Sequence, residues 1–277
     1  MRPGVFLELA DPDRSGALFQ AARADGFDSC QLHLGGCRLG PDGLAAIGRA
    51  ARAAGVRIEA VSGYANLLRP AEGPFGFTEG TLTLLLRLLP RIGATRLVTW
   101  SGTRSPDPLA PDPENGSADA WRELVDRARD LLAHAAALGL EVLFEPHHAH
   151  VLGTPEAALR FLDALAGAPA ALVLDPVTLI PPEASGERDA RTDRIVAALA
   201  PRARLVHFKD LAPGTGGRVE YPASGRGLFD HARFARALRR AGWEGPGVVE
   251  HVTPETRGAA AAHVAAAFAA NGGPGSP

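Results

Sequence analysis

Four short stretches in the second half of the chain end alike. Leu143-Phe144-Glu145, Val173-Leu174-Asp175, Leu205-Val206-His207 and Val248-Val249-Glu250 each set one carboxylate or imidazole directly after two apolar residues. Apolar runs of this kind read as strands buried on both faces, so each ionisable group falls where water is scarce. An unpaired carboxylate there forfeits much of its solvation, and three near one axis also repel each other. A divalent cation offsets both costs. Three carboxylates and an imidazole form a hard, oxygen-rich donor set, suited to magnesium, manganese, cobalt or a flexible zinc site rather than to a cysteine-bound structural zinc. Taken singly, each residue reads more readily as a helix cap, a surface ion pair or a hydrogen-bonded core histidine. Recurrence in four consecutive strands selects Glu145, Asp175, His207 and Glu250 as metal ligands.

The elements that must position them repeat along the whole chain. Eight apolar runs occur at Val5 to Leu9, Ser29 to Leu34, Arg57 to Ser62, Arg96 to Trp100, Glu141 to Glu145, Ala171 to Asp175, Arg204 to Phe208 and Gly247 to His251, their centres 24 to 45 residues apart. Each spacing suits one strand, one helix and two loops. Helix signals fill the gaps. Pro41-Asp42-Gly43 opens a face of Leu44, Ile47, Ala51 and Ala54 that Gly55 closes, Ser117 caps a face of Trp121, Leu124, Ala128, Leu131 and Ala135 that stops at Gly139, and Thr154-Pro155-Glu156 and Asp230 start two more. No linker interrupts the alternation, which predicts a single (β/α)8 barrel over residues 1–270, with 271–277 as a flexible C-terminal tail. An open, doubly wound sheet is the rival architecture, but the glycine-rich phosphate loop expected after its first strand is missing after Leu9. In a barrel the chemistry sits at the carboxyl ends of the strands, where the four residues fall. The loops Arg69 to Thr78 and Gly102 to Gly116 cover that face, as a lid, a subunit contact or simply a solvated surface.

Composition narrows the partners. With 46% hydrophobic and 22% charged residues and a net charge of −2, the 277-residue chain is globular, and it has no basic footprint for a phosphate backbone. Nucleic acid is not expected. Cys30 and Cys37 read as free thiols, and Glu8 breaks the start of any secretory apolar region, which together place the protein in the cytoplasm. The most apolar run, Leu82 to Leu89, contains Arg87 and falls far short of the ~20 residues that span a bilayer, so no membrane association is expected.

The stretches Phe144-Glu145-Pro146-His147, Leu172-Val173-Leu174-Asp175-Pro176, Val206-His207-Phe208-Lys209-Asp210, Tyr221-Pro222-Ala223-Ser224-Gly225-Arg226-Gly227 with Asp230, and Gly242-Trp243 with Gly245 leading into Val249-Glu250 resemble the xylose isomerase-like TIM barrels, also called sugar phosphate isomerase/epimerase proteins. The likeness covers most of the chain and is strongest from 140 to 252. It implies that Glu145, Asp175, His207 and Glu250 are the metal ligands, that Glu145 and Glu250 are also the acid-base pair, and that the substrate is a small carbohydrate. It further implies a homodimer or homotetramer. One position departs from the pattern: ketose 3-epimerases of this kind carry histidine three residues after the strand-six aspartate, where this chain has Thr178. A hydroxyl can hydrogen-bond a sugar but cannot carry a proton as imidazole does, which argues against that subtype.

A metal chelated by a hydroxy-carbonyl sugar acidifies the neighbouring C–H, and a carboxylate on either face can then move the proton through an enediolate. The expected function is therefore a divalent-metal-dependent isomerase or epimerase of a keto sugar. The alternatives are a dehydratase or lyase acting on an inosose or 3-keto sugar, and a barrel that binds sugar without turnover. The endonuclease branch of the same fold would need more histidine ligands and a basic face. Substrate-binding candidates are His147, His148, Thr178, Trp100 and His33, with Tyr64 also at a strand end. Lys209 either stabilises enediolate charge or is a solvated loop lysine. Arg218 and Arg226 are candidates for an anionic group.

Overall fold

The computed structural model describes residues 1–35, 40–70, 77–214 and 219–270. Eight parallel strands close a barrel in the order β1, β10, β7, β6, β5, β4, β3, β2. These are β1 (Gly4–Glu8), β2 (Ser29–His33), β3 (Arg57–Ser62), β4 (Arg96–Trp100), β5 (Glu141–Glu145), β6 (Ala170–Leu174), β7 (Ala203–Phe208) and β10 (Gly247–Val249). Each corresponds to one of the apolar runs. The expected strands six and eight stop short of their ionisable residues: Asp175 leaves the ladder to cap a helix, and Glu250 follows β10, held to the barrel through its N–H to Phe208 O at 3.1 Å. Two two-residue strands absent from the sequence reading, β8 (Ala212–Pro213) and β9 (Val219–Glu220), pair antiparallel as an arm after β7. They are too short to carry a periodic signal.

The barrel is filled, not hollow. Ala60, Val98, Leu143, Ala171, Val173, Leu205 and Val248 point inward from six strands and make a compact inner cluster beneath Tyr64 and Trp100. A second, larger core lies between the strands and the helices. There α1 (Ser15–Ala24), α2 (Pro41–Ala54), α3 (Glu79–Ile92), α4 (Ala118–Ala137), α5 (Pro155–Ala164), α6 (Pro176–Leu179), α7 (Arg188–Leu199), α8 (His231–Arg240) and α9 (Arg257–Ala269) wrap the sheet. The run Leu82 to Leu89 belongs to α3, where Leu82, Leu85, Leu86 and Leu89 are buried, each contributing roughly 1.5–3 kcal/mol of transfer free energy. The expected caps form. Ser117, Thr154 and Asp230 accept from the N–H groups of Ala120, Ala157 and Arg233, and Gly55 ends α2 at φ +68°. No helix among the described residues is long and apolar enough to cross a membrane.

Charge is managed differently at the two barrel ends. At the strand starts, Glu59 and Glu141 pair with Arg57, Arg96 and Arg204 at 3.2–3.8 Å. At the strand ends the carboxylates face inward, and the loops above them are pinned by buried polar residues. Asp210 is fully buried and accepts four backbone N–H groups at 2.9 Å, from Leu211, Gly225, Gly227 and Phe229. Gly227 approaches so closely that a Cβ would lie 2.3 Å from the Asp210 carboxylate, so only glycine fits. Replacing Asp210 with alanine strands four backbone donors, those of Leu211 and Phe229 on buried residues, and is expected to lower stability by about 2–4 kcal/mol. Denaturant unfolding measures this; a loss under about 1 kcal/mol would show that the anchor is dispensable.

Candidate metal centre and active site

Glu145 is the last residue of β5, His207 sits in β7, and Asp175 and Glu250 directly follow β6 and β10. All four are buried, and each offers one ligand atom within 4.8 Å of the others. Asp175 serves two purposes. Its Oδ1 accepts from the N–H groups of Val177 and Thr178 at 2.9 and 3.4 Å, capping α6, while Oδ2 turns into the cluster. The helix cap thus occupies one oxygen and leaves the other directed at the cluster.

Lys209 lies in the middle. Its Nζ is 3.1 Å from Asp175 Oδ2, 3.2 Å from Glu250 Oε2 and 4.0 Å from Glu145 Oε1. Burial alone would lower this ammonium's pKa, but the three carboxylates outweigh it and hold Lys209 well above the ordinary lysine value. The solvated-loop reading of Lys209 is therefore incorrect: the side chain, directly after the end of β7 and two residues past His207, is buried among the carboxylates. Glu145 is pulled upward by burial, yet His207, Lys209 and the Tyr64 hydroxyl prevail and hold it down to about 2. For Asp175 burial wins, raised further by Glu145 against the opposing Lys209 charge. Neighbouring carboxylates are thus driven apart, Glu145 firmly ionised and Asp175 more easily protonated.

A hydrogen-bond chain sets the histidine tautomer. Ionised Glu145 can only accept, so the Tyr64 hydroxyl donates to its Oε2 at 2.9 Å. The Gln31 amide then donates to Tyr64 Oη at 3.2 Å and to Ser62 Oγ at 2.8 Å, leaving Gln31 Oε1 to accept from His207 Nε2–H at 2.8 Å. His207 Nδ1 therefore faces the cluster, 3.3 Å from Glu250 Oε1 and 3.6 Å from Glu145 Oε2. Neither it nor Asp175 Oδ2 makes a hydrogen bond, the Lys209 contact to the latter being an ion pair only. A buried imidazole nitrogen without a hydrogen bond, close to three carboxylates that each offer an oxygen, fits a divalent cation. Charge agrees: three carboxylates against one ammonium leave −2. Burial lowers the His207 imidazole, but Glu250 and Glu145 raise it overall, so a proton on Nδ1 competes with the ion.

Above the cluster opens a cavity of about 620 Å³. Its lining includes Glu145, Glu250, Lys209, Thr178, His147, Trp100 and His33 from the sequence-derived set, together with Tyr64. Thr178 is only an acceptor toward it, because its hydroxyl hydrogen is committed to Pro146 O and Asp175 O, both at 2.9 Å. His147 is kept neutral, burial pushing it well below the usual histidine value with His150 adding to the effect. His148 does not line the cavity; it stacks on His147 at 4.6 Å, and its N–H donates to Thr178 O. Arg226 is exposed and outside the lining, and Arg218 lies outside the described residues, as do Cys37 and the tail 271–277. Cys30 is a buried free thiol.

The Gly102 to Gly116 loop is packed rather than merely solvated. Asn115 Oδ1 accepts from Arg104 N–H at 2.8 Å, Asn66 Oδ1 accepts from Thr103 N–H at 3.0 Å, and His150 Nε2 donates to Pro108 O at 2.7 Å, setting Leu109 at the cavity mouth. The residues missed from sequence were Gln31 and Ser62, and Tyr64 in its role as donor to Glu145. Glu250 is followed by His251, which among the described residues is the non-glycine with positive φ, 52°, a strained turn at the cavity lip.

A family model described as xylose isomerase-like TIM barrel matches residues 19–270. No curated protein matches the chain. Among solved structures, an L-ribulose 3-epimerase superposes with a TM-score of 0.73 at 15% identity, covering 99% of this chain and 100% of that one. A 3-keto-D-glucoside 4-epimerase from E. coli gives 0.72 at 18%, covering 96% and 99%. A xylose isomerase-like TIM barrel protein from Mycobacterium smegmatis, in complex with magnesium, gives 0.67 at 17%, covering 97% and 98%. At such identities these likenesses establish the fold.

Titration with manganese, magnesium, cobalt or zinc is expected to raise the thermal unfolding midpoint, with affinity weakening as pH falls because protons return to His207 Nδ1. Asp175→Asn and Gln31→Leu should each weaken binding by about 10–100-fold in calorimetry, the first by removing a ligand charge and the second by freeing the imidazole. An unchanged midpoint with all four ions would remove the metal site.

Proposed function

Since the chain belongs to the xylose isomerase-like TIM barrel family, we propose that it is a divalent-metal-dependent isomerase or epimerase of a keto sugar or sugar derivative. The observation that carries this reading is the pairing of Glu145 and Glu250 at the floor of one cavity, around the donor set they share with Asp175 and His207. The magnesium complex of one structural neighbour, and the keto-sugar substrates named for two others, point the same way.

Glu145, Asp175, His207 and Glu250 would hold the ion, which supplies polarisation of the substrate carbonyl and so acidifies the adjacent C–H. The remaining work falls to the protein's own groups. Glu145, ionised at any physiological pH, is the stronger candidate for holding a carboxylate in place, with one oxygen tied to Tyr64. Glu250, which follows β10 and is separated from β5 by β7 and β6, completes the pair, so a proton removed by one could be returned by the other. Lys209, charged and donating, lies where an enediolate oxygen would develop negative charge and can stabilise it without reorganisation. Return of the proton to the opposite face of the same carbon is epimerisation, and return to the neighbouring carbon is isomerisation. Loss of a β-hydroxyl from the same enediolate would be dehydration. Thr178 weighs against the ketose 3-epimerase subtype, since its hydrogen is held by two carbonyls and it can only accept from a substrate hydroxyl.

Solvent deuterium incorporation next to the carbonyl, followed across a panel of keto sugars with manganese, tests the proton-transfer step directly. Glu145→Gln and Glu250→Gln are each expected to reduce exchange by at least about 10³-fold while the fold, read by circular dichroism, stays intact. Full exchange in either variant would exclude that carboxylate from the reaction. Loss of exchange on chelation, with recovery on adding back the ion, is the matching expectation for the metal.

A further inference from the structure

The cavity is larger and less polar than one sugar ring requires. Glu145, Glu250 and Lys209 form its charged floor, and Glu8, His251 and Thr253 add polar groups among its more exposed lining. Toward the mouth the wall is made by Phe6, Leu18, Leu109, Val252 and Pro254, all at least partly open to solvent. Rings continue this wall inward. Phe6 stacks on His33 at 5.8 Å, His33 meets Tyr64 at 5.9 Å, and Tyr64 meets Trp100 at 5.0 Å. Opposite them, Tyr221 packs on His251 at 5.4 Å. A volume near 620 Å³ lies in the range, ~300–1,000 Å³, that encloses ligands well beyond a single six-carbon ring.

The charges speak to the other end of the ligand. Two cationic side chains are found among the described lining residues. Lys209 is shared by three carboxylates, and the Arg257 guanidinium is bound to Asp25. Glu8 adds a further carboxylate to the wall. An anionic substituent would therefore meet paired cations and acidic groups, whereas a neutral flat apolar group would cover aromatic and aliphatic surface now exposed to water.

We propose that the substrate is a neutral keto sugar carrying an aryl substituent, as in an aryl keto-glycoside, with its keto ring over Glu145 and Glu250 and its aryl group against the Phe6, Leu18 and Val252 wall. This assignment rests on the keto-sugar reading given above and names the substrate class for that site. Free keto sugars and sugar phosphates are the competing ligands.

The test compares 3-keto-glucose, its methyl glycoside, its phenyl glycoside and its 6-phosphate as exchange substrates of the manganese-loaded protein. Binding of the ketone-free phenyl and methyl glucosides is measured in parallel by calorimetry. The phenyl glycoside is expected to exceed the methyl glycoside in kcat/KM by about tenfold or more, chiefly through KM, and phenyl glucoside to bind tighter by a similar factor. Leu18→Asp and Val252→Asp should erase the phenyl advantage in both measurements, the phenyl-to-methyl ratio within each variant being the readout. Preference for the phosphate or the free sugar overturns the proposal, as does equal treatment of phenyl and methyl compounds. Selective binding of phenyl glucoside with no exchange on any ketone would uphold the aryl site and refute the keto-sugar reading. Exchange on all ketones alike would do the reverse.

Discussion

Burying three carboxylates around one axis is the constraint from which the rest of the site follows. In water their mutual repulsion would be screened, but here they are enclosed by protein, where both desolvation and repulsion grow. The fold answers with Lys209 at their centre and His207 at their edge, and still leaves negative charge in excess. A divalent ion held by the cluster would complete that balance. The parallel barrel makes such crowding achievable, because every strand delivers its last residue to the same end and the hydrogen-bond register fixes how far each one reaches. Trp100 and Glu145, for example, are register partners on β4 and β5, which places an aromatic residue beside one of the clustered carboxylates.

The ring of polar residues behind the cluster has a second task. Gln31, Ser62 and Tyr64 sit on β2, β3 and the turn after β3, so the acceptor that orients His207 comes from the far side of the barrel. Such partners commonly govern a metal ligand's basicity and direction as strongly as the ligand itself. Asp210 does for the loops what Gln31 does for the imidazole: one buried acceptor gathers four N–H groups and fixes the segment that carries the Tyr221 side of the cavity.

The fold was legible because strands buried on both faces read as apolar runs, and because Ser117, Thr154, Asp230 and Gly55 carry helix boundaries in single residues. The clustered quartet Glu145, Asp175, His207 and Glu250 was legible for a related reason: a charge directly after apolar residues stands out against its background. Gln31 did not stand out. It sits mid-strand in Ser29-Cys30-Gln31-Leu32-His33, where alternation of polar and apolar residues resembles an ordinary half-exposed strand, and its inward direction exists only once the barrel closes. Lys209 was ambiguous for a similar reason, since a lysine one pleat beyond a strand faces either solvent or the axis, and only the three surrounding carboxylates decide. The arm formed by β8 and β9 was invisible because two residues carry no period.

Asp175 gives one oxygen to the start of α6 and the other to the cluster. A carboxylate so divided is held in one orientation by the backbone of the following helix, with Oδ2 the oxygen it presents to the cluster. The same tether ties Thr178, whose N–H reaches the capping oxygen, to the distance between Asp175 and whatever occupies the centre. Through α6 that tether holds Thr178, and with it part of the cavity wall, in a fixed relation to Asp175.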